Sequence, residues 1–183
     1  MYNEAWEQLA YVLHSHSSLS EDWLHIVNFL FPNNSNLRDK YLSINYATDK
    51  HEIKEWIIET MKIFAIPEET IVIKIGIFDT VYQDKELSAL SITGYTDYIS
   101  NTLNDTESLV YEPKNRYFVP DGLNSFRSIT RSEKYDSDFL LWIMSISYTA
   151  VLLKSIILEN NEFPNHIKVV CGYTDGDYIE IPS

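Results

Sequence analysis

One apolar segment limits the choice of fold more than any other feature of this chain. Residues 139–158 contain Lys154 as their only charged residue and lie between Asp138 and Glu159. This twenty-residue segment has the length of a membrane span, but its acidic flanks and the four Ser and Thr side chains inside it are not typical of one. The apolar positions also continue almost all the way round a helix. We therefore expect a long buried helix over 138–159, with the rest of the domain packed around it.

Two further patterns predict a sheet. Residues 71–78 are apolar at nearly every position, which is typical of a central strand covered on both faces. Residues 166–174 and 177–181 also resemble strands, and Asp175-Gly176 between them is a pair favoured in type I′ hairpin turns. We expect residues 87–92 to form a strand that pairs back on 71–78, with the polar segment 79–86 as a loop.

The N-terminal part predicts helices over 3–15, 20–31 and 49–64, and a short strand over 41–46. The fold class is therefore α+β: a small, mostly antiparallel sheet packed by several helices, with the long buried helix near 138–159 and a C-terminal β-hairpin. We expect a single globular domain over residues 1–183. The region 79–135 is the hardest to interpret, although 109–111 resembles a strand and 121–129 a helix.

The charge of the chain favours a basic partner. The 27 Asp and Glu outnumber the 14 Lys and Arg, which gives a net charge of −13, and both halves of the chain are acidic. Such a surface repels nucleic acid and anionic membranes, because binding to phosphate depends on Lys and Arg. It accelerates encounter with a basic protein by long-range attraction. Solubility is the alternative explanation of the same charge.

Cysteine content and motifs argue against several kinds of site. Cys171 is the only cysteine, so no internal disulfide forms, and the N-terminal residues lack the features of a signal peptide. We therefore expect a cytoplasmic protein. The five glycines are isolated and build no phosphate-binding loop, while His14 and His16 have poor spacing for a shared metal. We expect no cofactor and no metal, and the sequence contains no catalytic signature.

Carboxylates concentrate in two segments that border predicted strands. We predict that these side chains contact the partner, since carboxylates at the rim of an interface raise the association rate and the specificity. Ordinary solvated loops are the alternative. The six predicted contact residues are Asp79, Asp84, Glu86, Asp175, Asp177 and Glu180. The only basic cluster, formed by Arg127, Arg131 and Lys134, is expected to pair with acids of the same chain.

In size, acidity and these two segments, Asp79-Thr80-Val81-Tyr82-Gln83-Asp84 and Tyr173-Thr174-Asp175-Gly176-Asp177-Tyr178-Ile179-Glu180, the chain resembles the small acidic immunity proteins of bacterial toxin systems. The resemblance implies a protein that binds a cognate basic partner, such as a toxin domain, and blocks its active site. Two alternatives stay open: an enzyme that works through carboxylates, with a metal at Asp175 and Asp177, and an inhibitor that mimics nucleic acid. The sequence leaves the oligomeric state and the identity of the partner open.

Overall fold

The computed structural model describes residues 2–98, 108–131, 137–159, 163–164, 166–174, 176 and 178–182. Helices and one sheet make up this part of the chain. The helices are α1 Tyr2–Leu13, α2 Leu19–Leu30, α3 Ser35–Leu42, α4 Tyr46–Ile63, α5 Asp121–Arg131 and α6 Ser137–Glu159. The strands are β1 Val72–Tyr82, β2 Lys85–Tyr95, β3 Leu109–Tyr111, β4 Tyr117–Phe118, β5 Lys168–Tyr173 and β6 Tyr178–Ile181. The expected α+β class is confirmed.

The sheet is built around β1. Its strand order is β3-β2-β1-β5-β6, with β4 paired to β2, and every pairing is antiparallel except that of β1 with β5. One face of β1 places Ile73, Ile75 and Ile77 in the main core, and the other places Val72 in a smaller apolar cluster. Both faces of β1 are therefore buried over 72–77, as its apolar pattern predicts. The C-terminal hairpin of β5 and β6 is also confirmed.

Helix α6 lies at the centre of the fold. It packs against α1, α2, α4, α5, β5 and β6. Its 138–159 portion has the length and composition to cross a membrane, but 83% of the 18-residue apolar window within it is buried inside the protein. An amphipathic helix would present one stripe to a core, whereas α6 needs neighbours on every side because its apolar surface continues around it. The expectation of a long buried core helix is confirmed.

The one charge within the apolar segment of α6 is fully paired inside the core. Lys154 Nζ lies 2.7 Å from Asp22 Oδ2, and the side chains are 3% and 2% exposed. The same ammonium donates to the carbonyl of Val12 at 2.8 Å and to Ser15 Oγ at 3.2 Å, while Ser17 Oγ donates to Asp22 Oδ1. A buried charge is tolerated only when it is paired and hydrogen-bonded, so this network connects the α1–α2 turn to α6.

Two local expectations are wrong. Residues 41–46 are not a strand: they span the end of α3, a short turn and the start of α4, and Leu37, Tyr41 and Ile44 are buried at helical spacing. Residues 79–86 are not a loop, because β1 continues to Tyr82 and β2 begins at Lys85. The segment is polar because this end of the strand pair extends beyond the core into solvent, where apolar side chains are not required.

We predict that Lys154→Met lowers the free energy of unfolding by about 3–5 kcal/mol, because Asp22 is left as an unpaired buried carboxylate. The double variant Lys154→Met/Asp22→Leu should recover more than half of that loss. Urea unfolding of both variants measures this. Lys50→Met removes the more exposed ion pair with Glu159 and should cost less than about 1 kcal/mol. Equal losses for the two single variants would contradict the argument.

A second buried carboxylate joins three helices. Asp49 in α4 is 2% exposed, and its Oδ2 accepts hydrogen bonds from the backbone N of Gly122 at 2.9 Å and from the Tyr148 hydroxyl at 3.1 Å. A side chain at position 122 would collide with the Asp49 carboxylate and the Tyr148 side chain. The close approach of the 122 backbone to Asp49 therefore requires glycine. Burial raises the pKa of Asp49, and the two hydrogen bonds oppose that rise without cancelling it.

The raised pKa gives Asp49 a defined effect on stability. The stability that Asp49 contributes is fully present below its pKa in the unfolded chain, and it is lost as the pH rises through its pKa in the folded protein. Asn at this position keeps an oxygen acceptor and cannot ionise. We predict that Asp49→Asn gains stability relative to the unchanged protein between about pH 4 and about pH 7. Urea unfolding at both pH values tests this, with Asp39→Asn as an exposed control that should show no comparable gain.

Candidate partner-binding surfaces

The first predicted segment forms the projecting end of the β1–β2 hairpin. The ladder continues from Asp79 opposite Ser88 to Tyr82 opposite Lys85, and residues 81–86 are all exposed. Gln83 and Asp84 at the tip have φ angles of 50° and 60°, the left-handed conformation that both central residues of a type I′ turn adopt. This turn matches the twist of the strands, so the hairpin extends beyond the core as a regular element.

Helix α5 holds the stem of the hairpin. The side chain of Asn124 accepts from the backbone N of Ser88 at 2.9 Å and donates to the carbonyl of the same residue at 3.2 Å. It also donates to the carbonyl of Pro120 at 2.8 Å. The amide therefore binds Ser88 as a neighbouring strand would. A cleft of about 450 Å³ lies between the hairpin tip and α5.

Arg127 of α5 changes the charge of this segment. Its guanidinium forms ion pairs with Asp79 and, at 3.3 Å, with Glu86, and its Nε donates to Ser88 Oγ at 3.2 Å. The Arg127 side chain is 11% exposed, while those of the two carboxylates are 51% and 55% exposed. The expected internal pairing is confirmed for Arg127, while Lys134 and the side chain of Arg131 lie outside the described residues. Asp79 and Glu86 thus share a cation of their own chain, and Asp84 lies apart from them at the turn.

The second predicted segment is described only in part. Asp175 and Asp177 lie outside the described residues. Glu180 in β6 forms an ion pair with Lys168 of β5 at 3.0 Å, and the Lys168 ammonium lies 5.2 Å from the centre of the Tyr98 ring. Burial raises the pKa of the Tyr98 hydroxyl, and the Glu180 carboxylate beside it raises it further. Glu180 therefore belongs to a local network on the sheet.

The sheet topology relates the two predicted segments. Because β5 runs parallel to β1, Tyr173 pairs with Ile77 and the backbone N of Thr174 donates to the carbonyl of Ile77 at 3.0 Å. The end of β5 therefore lies at the same end of the sheet as the projecting hairpin. Glu180 pairs with Val170, farther back along the sheet. The hairpin carboxylates and Glu180 do not form one continuous cluster.

A carboxylate-dependent catalytic site finds no support in the described residues. The buried carboxylates there are Asp22 and Asp49, and each is held by its own set of core partners. Within the same residues, no group of three or more His, Cys, Asp or Glu is placed to hold a metal ion. Burial raises the pKa of the Cys171 thiol, which disfavours the reactive thiolate.

A second cleft, of about 330 Å³, lies on the face of the sheet opposite α6. Lys74 and Arg116 both line it. Lys74 Nζ donates to the carbonyl of Thr174 at 3.0 Å, while Arg116 forms an ion pair with Glu112 at 3.3 Å and lies over the ring of Tyr117. Both cations contact groups of the chain itself, Lys74 a backbone carbonyl and Arg116 a carboxylate.

A surface group of aromatic side chains is absent from the predicted contact residues. Tyr2 and Trp6 of α1 lie against Phe139 and Trp142 of α6, with the ring centres of Tyr2 and Trp142 5.1 Å apart and those of Trp6 and Trp142 5.8 Å apart. The two pairs are more than 130 residues apart in the sequence. Only the packing of α1 on α6 brings them together, so no local pattern could have identified them.

Comparison of the chain with protein-family models, with curated proteins and with solved structures found no match. The resemblance to immunity proteins therefore stays a prediction.

The conformation of the hairpin turn can be tested by substituting its two central residues. Gln83 and Asp84 both carry a Cβ in the left-handed region, which disfavours most side chains, whereas Asn and Gly adopt it readily. We predict that Gln83→Asn/Asp84→Gly raises the free energy of unfolding by about 1 kcal/mol. Urea unfolding measures the gain. Gln83→Ala keeps the Cβ and should give none; a loss in the double variant would show that the turn has another conformation.

Proposed function

We propose that this chain binds a basic protein partner and neutralises it, as the small acidic immunity proteins do with toxins. The observation that carries the proposal is the location of the charge. Among the described residues, the fully buried acids are Asp22 and Asp49 and the fully buried bases are Lys74 and Lys154. Burial removes equal numbers of each sign, so the surplus of carboxylates in this part of the chain lies on the surface, where it attracts a basic protein.

The projecting hairpin suits a contact with such a partner. Val81 and Tyr82 are 67% and 63% exposed beside the carboxylates Asp84 and Glu86. Exposed aromatic and apolar groups provide contact area, and carboxylates at the rim increase the rate of encounter. The internal ion pairs of Arg127 make this a mixed surface, so a basic partner would compete with Arg127 for Asp79 and Glu86. Asp175, Asp177 and Glu180 stay proposed contacts.

Capture and growth experiments test the proposal. We predict that the chain, immobilised at low salt, captures a basic protein from the lysate of its native cell, and that expression of that protein alone arrests growth. Coexpression of this chain should restore growth. The association rate should fall as salt rises, because screening weakens long-range attraction. A captured protein that leaves growth unaffected, or a rate independent of ionic strength, would contradict neutralisation of a basic toxin.

A matched pair of variants tests the hairpin. Asp84→Asn/Glu86→Gln and Glu55→Gln/Glu59→Gln each remove two exposed negative charges, the first pair from the hairpin and the second from α4. If the hairpin contacts the partner, the first variant should slow association about tenfold more than the second at low salt. Equal slowing would assign the effect to net charge alone and remove the hairpin from the proposed interface.

A further inference from the structure

The aromatic group formed by Tyr2, Trp6, Phe139 and Trp142, named here the α1–α6 aromatic face, lies at the surface. Trp6, Phe139 and Trp142 pack against the edge of the main core and are only partly buried, and Tyr2 is 43% exposed. The rings of Tyr2 and Trp6 are nearly parallel, at 1°, and the ring of Trp142 lies within 20° of each. Part of the surface of these stacked rings is exposed and does not pack against the core.

The charges on the same helices are negative. Residues 1–37 contain no Lys or Arg, and Glu4 and Glu7 are exposed on α1. Asp138, which precedes the aromatic residues of α6, is exposed as well. The one cation within α6, Lys154, is buried against Asp22. Among the described residues, the exposed charges of the two helices that carry the α1–α6 aromatic face are therefore carboxylates.

We propose that the α1–α6 aromatic face is the docking surface for an arginine-bearing segment of the basic partner. This inference rests on the proposed function and names its surface. A guanidinium stacks on indole and phenol rings and pairs with carboxylates, so arginine suits exposed rings on helices whose exposed charges are acidic. Trp and Tyr are also the residues that most often dominate binding energy at interfaces. A second copy of this chain fits less well, because it would bring the same negative charges together.

Two synthetic peptides of equal charge, octa-arginine and octa-lysine, separate stacking from simple attraction. Isothermal titration at low salt should show that octa-arginine binds more tightly, since lysine lacks the planar group that stacks on rings. Trp142→Ala and Trp6→Ala should each weaken octa-arginine binding about tenfold and change octa-lysine binding less than about twofold. Trp142→Phe and Trp6→Phe keep an aromatic ring and should bind octa-arginine within about threefold of the unchanged protein.

Circular dichroism and urea unfolding confirm that each variant is folded before titration. If an Ala variant is not folded, the comparison of the two peptides on the unchanged protein still tests the inference. Equal binding of the two peptides, or octa-arginine binding that survives Trp142→Ala, overturns the docking surface. Loss of octa-arginine binding in Asp84→Asn/Glu86→Gln, with the Trp variants unaffected, moves the site to the hairpin and leaves the proposed function intact. A dimer that Trp142→Ala abolishes, seen by sedimentation, would assign the face to a second copy.

The captured partner separates failure of this inference from failure of the proposed function. If the partner binds the unchanged chain but its affinity is the same for Trp6→Ala and Trp142→Ala, the docking surface is wrong and neutralisation of a basic protein still holds. If neither octa-arginine nor a basic protein binds the unchanged chain, the proposed function itself fails.

Discussion

The pairing of Lys154 with Asp22 is the interaction on which the arrangement of the helices depends. Helix α6 is apolar around its whole circumference, so it is stable only when other elements enclose it. A lysine in its C-terminal part then needs a counter-charge and hydrogen-bond acceptors inside the core. Asp22, Val12 and Ser15 supply them from the α1–α2 turn. The requirement of a single ammonium thus determines where the N-terminal helices lie against α6, and the α1–α6 aromatic face follows from that position.

The two candidate surfaces of this protein are both acidic, but they differ in the side chains that lie near the carboxylates. At the hairpin, Arg127 occupies Asp79 and Glu86, so a partner must compete with an existing ion pair. At the α1–α6 aromatic face, Glu4, Glu7 and Asp138 lie on the helices that carry partly exposed rings. We therefore propose different partner groups for the two surfaces: basic groups that displace Arg127 at the hairpin, and planar cations at the α1–α6 aromatic face.

Much of the fold could be predicted because its main elements have uniform patterns. Residues 71–78 and 138–159 are apolar on all sides, and such segments have few alternatives to a central position. The two wrong predictions concern segments whose pattern of polar and apolar residues is typical of a different structure from the one that they form. Residues 41–46 alternate like a strand but contain the junction of two helices, and residues 79–86 are polar because they are an exposed ladder. Neither conflict can be resolved without the neighbouring elements.

The sequence by itself determined the fold class, the buried helix, the central strand and the negative charge, because each depends on composition or on local periodicity. Only the tertiary structure decided which charges face one another. It placed Arg127 between Asp79 and Glu86, and it joined Tyr2 and Trp6 to Trp142. These contacts join residues tens to more than one hundred positions apart, and the packing of α5 on the hairpin and of α1 on α6 is what brings them within reach. Local patterns carry no information about such distances, which is why the α1–α6 aromatic face and the ion pairs of Arg127 emerged only from the structure.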